Sequence, residues 1–151
     1  MKKKPLIIVA MSGGIDSSVA ASFCLKKGYR VIGITLKMNR CQTKSAPVIS
    51  SAIETAKILG IEHKIIDVSK IFKDCVLKYS WNEYITARTP NPCAVCNRII
   101  KFGWLINYAN EIGAIGIATG HYAIIQKDKN GNSFIKRGID NSKDQSYFLF
   151  N

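Results

Sequence analysis

Five apolar residues, Leu6-Ile7-Ile8-Val9-Ala10, run into Met11-Ser12-Gly13-Gly14-Ile15-Asp16-Ser17-Ser18, and this junction limits the fold more than any other part of the chain. The apolar run reads as a buried strand, the glycine pair as a tight turn, and the stretch from Val19-Ala20-Ala21 as the first turns of a helix. Strand, glycine turn and helix start make an anion site. Backbone N–H groups at a helix N-terminus have no intrahelical acceptor, and the helix dipole adds partial positive charge there. Neighbouring glycines remove the Cβ atoms that would hold an oxyanion away, and three serine hydroxyls offer further donors. The expected ligand is a nucleotide phosphate. The segment has neither the Gly-Lys-Ser/Thr ending of the P-loop nor the spacing of the dinucleotide fingerprint.

The rest of the chain alternates in the same manner. Tyr29 to Leu36 reads as a second strand, Ser50 to Leu59 as a helix closed by Gly60, and His63 to Val68 as a third strand. A helical stretch from Lys70 to about Thr86 precedes the turn Thr89-Pro90-Asn91-Pro92, a further helix covers about Asn97 to Ile112, and Ala114 to Thr119 reads as a fourth strand. Tyr122 to Gln126 and Ser133 to Lys136 flank an Asn130-Gly131 step that suggests a hairpin. This order predicts an α/β fold, a Rossmann-like parallel sheet with helices on both faces, whose site lies beyond the carboxyl ends of the strands.

At 151 residues and 47% hydrophobic the chain is one domain's worth. No apolar stretch approaches the roughly 18 residues that span a bilayer. The opening Met1-Lys2-Lys3-Lys4-Pro5 leads into too short an apolar run for a secretory signal, so we expect a cytoplasmic protein without a membrane partner. Five cysteines, an odd number, favour reduced thiols over a disulfide framework. Twenty-two Lys and Arg against 10 Asp and Glu give a net charge of +12, which attracts polyanions and makes their binding weaken as salt rises. Lysine as a mere solubiliser explains the same count. The closing run Tyr147 to Asn151 is apolar without a terminating signal, as though the chain were cut short.

A second informative segment is Arg88-Thr89-Pro90-Asn91-Pro92-Cys93-Ala94-Val95-Cys96-Asn97-Arg98-Ile99-Ile100-Lys101-Phe102. Prolines stiffen the approach, and two cysteines arrive at a helix start where the dipole, Arg98 and Lys101 favour thiolate over thiol. That is the setting of a nucleophilic cysteine. Half of a zinc site is an alternative, but no second Cys-x-x-Cys pair follows. Iron–sulfur ligation with a third cysteine is another.

The glycine-serine segment resembles the loop of the PP-loop ATP pyrophosphatases. Four segments in order narrow the resemblance to the tRNA-specific 2-thiouridylase family: Ala10 to Ser18, Arg88 to Phe102, Ala118-Thr119-Gly120-His121-Tyr122-Ala123, and Lys143-Asp144-Gln145-Ser146-Tyr147-Phe148-Leu149. The resemblance implies ATP-dependent adenylation of the wobble uridine of tRNA, then replacement of its C2 oxygen by persulfide sulfur from a donor protein. It further implies that Ala10, Met11, Ser12, Gly13, Gly14, Ile15, Asp16 and Ser17 hold the ATP phosphates, with Asp16 acting through Mg2+. On the same ground Leu36 and Gly120 contact the nucleotide, Asn91, Pro92 and Cys93 face the target base, Cys96 is the nucleophile, and Lys143, Asp144 and Gln145 touch tRNA. His121 is a proton-transfer or base-contact candidate or a structural residue. His63 needs no role, Cys24 belongs to the core, and Cys41 and Cys75 stay unassigned, with Cys41 in a loop able to approach the site.

The sequence also departs from that family. Many members carry aspartate where this chain has Cys93. Members continue into a central domain and a C-terminal β-barrel, so the resemblance makes residues 1–151 an N-terminal PP-loop domain, incomplete at its end. The family's persulfide-bearing second cysteine falls in that further part, to be supplied by a partner chain or a missing segment. Two alternatives stand beside the thiolation enzyme: an inactive fragment that retains ATP or RNA binding, and an iron–sulfur tRNA thiolase with Cys93 and Cys96 as ligands.

Overall fold

The computed structural model describes residues 3 to 38 and 42 to 149, apart from the side chains of residues 42 to 45. Met1, Lys2, Asn39, Arg40, Cys41, Phe150 and Asn151 lie outside the described residues. Strand β1 (Leu6–Ala10) leads to helix α1 (Ile15–Lys26), then β2 (Arg30–Lys37), α2 (Gln42–Leu59) and β3 (Glu62–Asp67). Strand β4 (Ile117–Ala118) completes a sheet of order β3-β2-β1-β4 in which every pairing is parallel.

Alternation along the strands decides how this sheet is covered. Ile8, Ile32 and Ile34 turn to one face and pack against Leu105, Ala109 and Ala114. Val9, Met11 and Val31 turn to the other and meet Ala21, Ala52 and Ala56 of α1 and α2. Successive side chains of a strand point to opposite faces, so a sheet with helices on both needs near-continuous apolar strands, as β1 and β2 have. A third cluster lies beyond the carboxyl edge: Val68, Val76, Val95, Cys96 and Ile100, with Leu36 and Ile66 packed against it. This cluster seats the cysteine helix next to the end of β2.

Two expected helices are interrupted. The Lys70 to Thr86 stretch consists of α3 (Ser69–Phe72), a π-helical segment Lys73–Leu77, and α4 (Lys78–Ile85). The helix expected from Asn97 starts earlier, as α5 (Pro92–Cys96), widens into a π-helical segment Asn97–Trp104, and ends as α6 (Leu105–Glu111). Its early start has a local cause. Asn91 Oδ1 accepts the Ala94 N–H at 3.2 Å, and Pro92 occupies the first helical turn, where its missing N–H costs nothing.

The fourth strand is shorter than the six residues expected. Only Ile117–Ala118 pair regularly, although Ile115 N–H to Leu6 O (2.8 Å) and Ile8 N–H to Gly116 O (3.1 Å) keep the preceding residues beside β1. The hairpin forms between β5 (Ile124–Lys127) and β6 (Ser133–Lys136). Its turn is not a two-residue Asn-Gly turn, because Asp128 Oδ1 accepts the N–H groups of both Asn130 and Asn132 and organises a longer loop. Among the described residues no helix is long and apolar enough to cross a membrane.

Candidate active site

The carboxyl end of β1 delivers Met11 to Gly14 to the top of the sheet, and Thr35 fixes the departure. Its hydroxyl donates to Met11 O at 2.8 Å, so at 2.9 Å it must accept from His63 Nε2, which carries the proton. Burial holds the His63 pKa below its ordinary value and keeps that ring neutral. His63 is thus a brace for the loop. Gly13 then adopts φ +74, a left-handed conformation that suits glycine, and a Cβ there would run into the Val48 carbonyl oxygen of α2. Ser51 Oγ donates to Gly13 O at 2.9 Å and ties the turn to α2.

The serines serve the loop itself. Ser17 Oγ and Ser18 Oγ each donate to Gly14 O at 3.0 Å, and Ser17 Oγ accepts the Ser12 N–H at 3.2 Å. The expectation of three free hydroxyl donors is therefore corrected: Ser17, 3% exposed, and Ser18 are committed to the turn, and Ser12 Oγ lies 3.3 Å from Ser17 Oγ. What the loop leaves for an anion is its backbone. Gly14 is the N-cap of α1 without a side-chain capping bond, and the first-turn N–H groups of Ile15, Asp16 and Ser17 have no intrahelical acceptor.

Ala10, Met11, Ser12, Asp16, Ser17 and Leu36 line a cavity of about 410 Å3. Gly120 closes it opposite, packed so tightly on the loop that a Cβ would sit 2.8 Å from Asp16 C and Ser17 N. Ile15 departs from this group, with its side chain 80% exposed. Tyr122 Oη donates to Asp16 Oδ1, a contact that raises the Tyr122 pKa above its ordinary value. Sequence reasoning assigned Tyr122 nothing. Its signal lay in the Gly120-His121-Tyr122 run, which shows no charge or spacing to mark the pairing.

Cys93, Cys96, Pro92, Asn97, Phe72 and Phe148 line a second cavity of about 460 Å3. Cys93 is exposed and Cys96 is 7% exposed, with its Sγ 3.9 Å from Met38 Sδ. Here the structure corrects the expectation of a ready thiolate: burial pushes the Cys96 thiol up, Lys101 pulls it down, and Cys93 raises it slightly further. Burial is the larger cause, since Cys96 sits in one buried cluster with Val68, Val76 and Ile100. Arg98, expected to assist, is exposed and is absent from the charges that act on the thiol. Among the described residues no group of three His, Cys, Asp or Glu side chains could hold a metal.

The two cavities share a wall made of Met38, Lys101, His121 and Gln145. His121 Nδ1 lies 2.8 Å from Thr119 Oγ1 and its Nε2 lies 3.4 Å from Lys101 Nζ. Lysine can only donate, so Nε2 accepts and Nδ1 carries the proton. Burial and then Lys101 push the His121 pKa down to about 4, which makes the neutral ring an acceptor for Lys101.

The residues implied to touch base and tRNA have structural tasks as well. Asn91 caps α5. Asp144 Oδ1 accepts the Gly138 N–H at 2.7 Å and Oδ2 accepts Ser146 Oγ at 2.7 Å, and these bonds hold its carboxyl below the usual range. Gln145 Oε1 accepts the Tyr122 N–H at 3.2 Å, and Lys143 Nζ stands 5.6 Å from the Tyr122 ring centre. Cys24 packs in the α1 core as expected, and burial raises its pKa. Cys75 falls in the Lys73–Leu77 segment, half-buried, and lines neither cavity.

Comparison with known proteins places this architecture. A family model described as the tRNA methyl transferase HUP domain matches residues 5–151. The tRNA-specific 2-thiouridylase MnmA 2 of a Thermoanaerobacter species is 45% identical over 158 residues, covering 95% of this chain and 43% of the relative. The tRNA-specific 2-thiouridylase MnmA of a Nitratiruptor species is 45% identical over 151 residues, 100% of this chain and 42% of the relative. The chain thus spans less than half the length of these curated relatives. Among solved structures, a predicted subunit of tRNA methyltransferase from Methanocaldococcus jannaschii superposes with a TM-score of 0.56 at 24% identity, over 92% of this chain and 60% of that one. The NMN synthetase from Francisella tularensis superposes with a TM-score of 0.52 at 24% identity, over 76% and 44%, and both likenesses concern the fold. The parallel sheet, its glycine turn and a family model that runs through nearly the whole chain agree: this protein belongs to the tRNA methyl transferase HUP domain family and has the PP-loop α/β fold.

Proposed function

We propose that this chain carries the adenylating part of an ATP-dependent tRNA uridine 2-thiolation enzyme. The observation that carries the proposal is the shared wall: the phosphate-loop cavity and the Cys96 cavity meet at Met38, Lys101, His121 and Gln145. A base held there would face a nucleotide on one side and a sulfur nucleophile on the other. The family description names a methyl transferase and the relatives name a 2-thiouridylase, and a buried cysteine beside a phosphate loop favours the second.

In this reading the uracil O2 attacks the α-phosphorus of ATP, and pyrophosphate leaves toward the N–H groups of Ile15, Asp16 and Ser17. Asp16, an exposed carboxylate on the cavity wall, fits the one or two carboxylates with which a protein supports a nucleotide's magnesium, and bound Mg2+ would offset charge on the phosphates. The outer sulfur of a donor persulfide then displaces AMP from C2. Cys96 thiolate attacks the donor's inner sulfur, which forms a disulfide and releases the 2-thiouridine. The donor protein and its cysteine belong to a partner or to further sequence, and residues 1–151 act as the PP-loop domain of the assembly. A net charge of +12 suits the tRNA.

Pyrophosphate release from ATP, measured with and without unmodified tRNA, tests this. Release should depend on tRNA, fall about 100-fold in Asp16→Asn in line with the loss of an electrostatic group at the reacting phosphates, and persist in Cys96→Ser. Release that ignores tRNA and is unchanged by Asp16→Asn refutes the adenylating role.

A further inference from the structure

Lys101 is five residues beyond Cys96, a spacing that an ordinary helix wastes. At 3.6 residues per turn, position i+5 lies about 140° round the axis from position i. Here the backbone between them is π-helical, over Asn97–Trp104, with the Leu105 N–H bonded to Ile100 O five residues back. A helix that bonds i to i+5 has more than four residues in each turn, so Lys101 comes round near the Cys96 side. Both side chains accordingly face the same cavity.

Gly103 lets the wide turn form. A Cβ on Gly103 would lie 2.8 Å from Arg98 O, the carbonyl five residues earlier, so any other residue presses on the backbone of this turn. His121 completes the device from another element, with Nε2 3.4 Å from Lys101 Nζ, where it accepts and holds the ammonium on the wall between the cavities.

From this geometry we infer that Lys101 is a positioning residue for the sulfur chemistry, set beside Cys96 by the Gly103-dependent π-helical turn and tethered by His121. The inference rests on the proposed role of Cys96, and it says which cation answers a negative sulfur there. The titratable groups facing that sulfur cavity are Cys93 and Lys101 from the cysteine helix and His121 from the loop after β4, with Tyr79 of α4 packed against the same cluster. Among the described residues Lys101 is the sole cation in this set. Burial alone would leave Cys96 a poor nucleophile at neutral pH, and Lys101 is the group that opposes it.

The test is the pH profile of Cys96 alkylation by iodoacetamide in the full chain, followed on the Cys96 peptide by mass spectrometry. This needs neither ATP nor tRNA, so its failure is separate from a failure of thiolation. Lys101→Met should move the alkylation midpoint up by about 1 pH unit, the low end of the shift from a nearby opposite charge. Lys101→Arg should restore the midpoint, and Gly103→Ala should raise it by turning Lys101 away. A Lys101→Met profile superimposed on the parent's, in protein with unchanged circular dichroism and melting, overturns the inference. So does a failure of Lys101→Arg to restore the midpoint.

Discussion

Gly120→Ala is the sharpest probe of how the nucleotide cavity is closed. The added methyl would fall 2.8 Å from Asp16 C, 2.8 Å from Ser17 N and 3.0 Å from Asp16 Cβ. Two of these atoms are backbone at the start of α1, so no rotamer change relieves the contact. Ser17 is held in turn by its bonds to Gly14 O and Ser12 N–H, so the loop does not yield either. Overpacking of this kind costs about 1 to 3 kcal/mol. In a chain of 151 residues that corresponds to a fall in melting temperature of about 2 to 12 °C, at 2 to 4 °C per kcal/mol. The other outlet is to push the Thr119-Gly120-His121 turn away from the phosphate loop, which opens the cavity and should weaken ATP binding about tenfold, or 1.4 kcal/mol.

Gly116→Ala is the matched control. Beyond its immediate chain neighbours nothing lies within 4 Å of a Cβ at that position, so it should be neutral or slightly stabilising. Scanning calorimetry on the two variants, with titration calorimetry of ATP, reads both outlets. A Gly120→Ala protein that melts and binds ATP like the Gly116→Ala control would refute the close approach of the two turns and with it the shape assigned to the cavity.

Acid should destabilise the fold through its histidines. The His121 pKa is lowered to about 4 from an ordinary 6.5, so the unfolded chain takes up a proton that the folded one refuses, and stability present above pH 6.5 is lost as pH falls toward 4. The full shift corresponds to about 3 kcal/mol, which screening at a half-buried site reduces to about 1 to 2. Urea melts at pH 7 and pH 5 should show His121→Gln losing less stability on acidification than the parent, and an equal loss would count against a neutral buried ring. Thr35→Val strips Met11 O and His63 Nε2–H of their shared partner and should cost about 1 to 3 kcal/mol in the same assay. A cost below about 0.5 kcal/mol would mean the brace contributes nothing beyond ordinary surface change.

The parallel sheet was legible because its signal is local: Ile8 and Val9 already carry the two-faced alternation that the helices then cover. The Ser12 to Ser18 loop was legible as an anion cradle for the same reason, since strand, glycine and helix start are consecutive. Side-chain duties were read less well. Asn91 and Asp144 each look like loop residues free to meet RNA, whereas the Oδ1 of each is committed to a backbone N–H within six residues. The Asn91-Pro92 step is itself a helix-start signature, and reading it so would have moved the helix boundary five residues earlier.

The reactivity of Cys96 shows why the remainder was hidden. Sequence displays the local term, two cations within five residues, and leads to a thiolate. The opposing term comes from Val68 and Val76, about 20 to 30 positions away, and burial by such distant segments is invisible to any rule about spacing. Even the local term was misapportioned, because an α-helical count cannot tell Arg98 from Lys101. Only the wide turn around Gly103 decides that Lys101 faces the sulfur cavity and Arg98 faces water. A glycine that reads as a weak point in a helix is therefore the residue on which the charge of the site turns, and Gly103→Ala, harmless by helix propensity, should be felt first at the thiol.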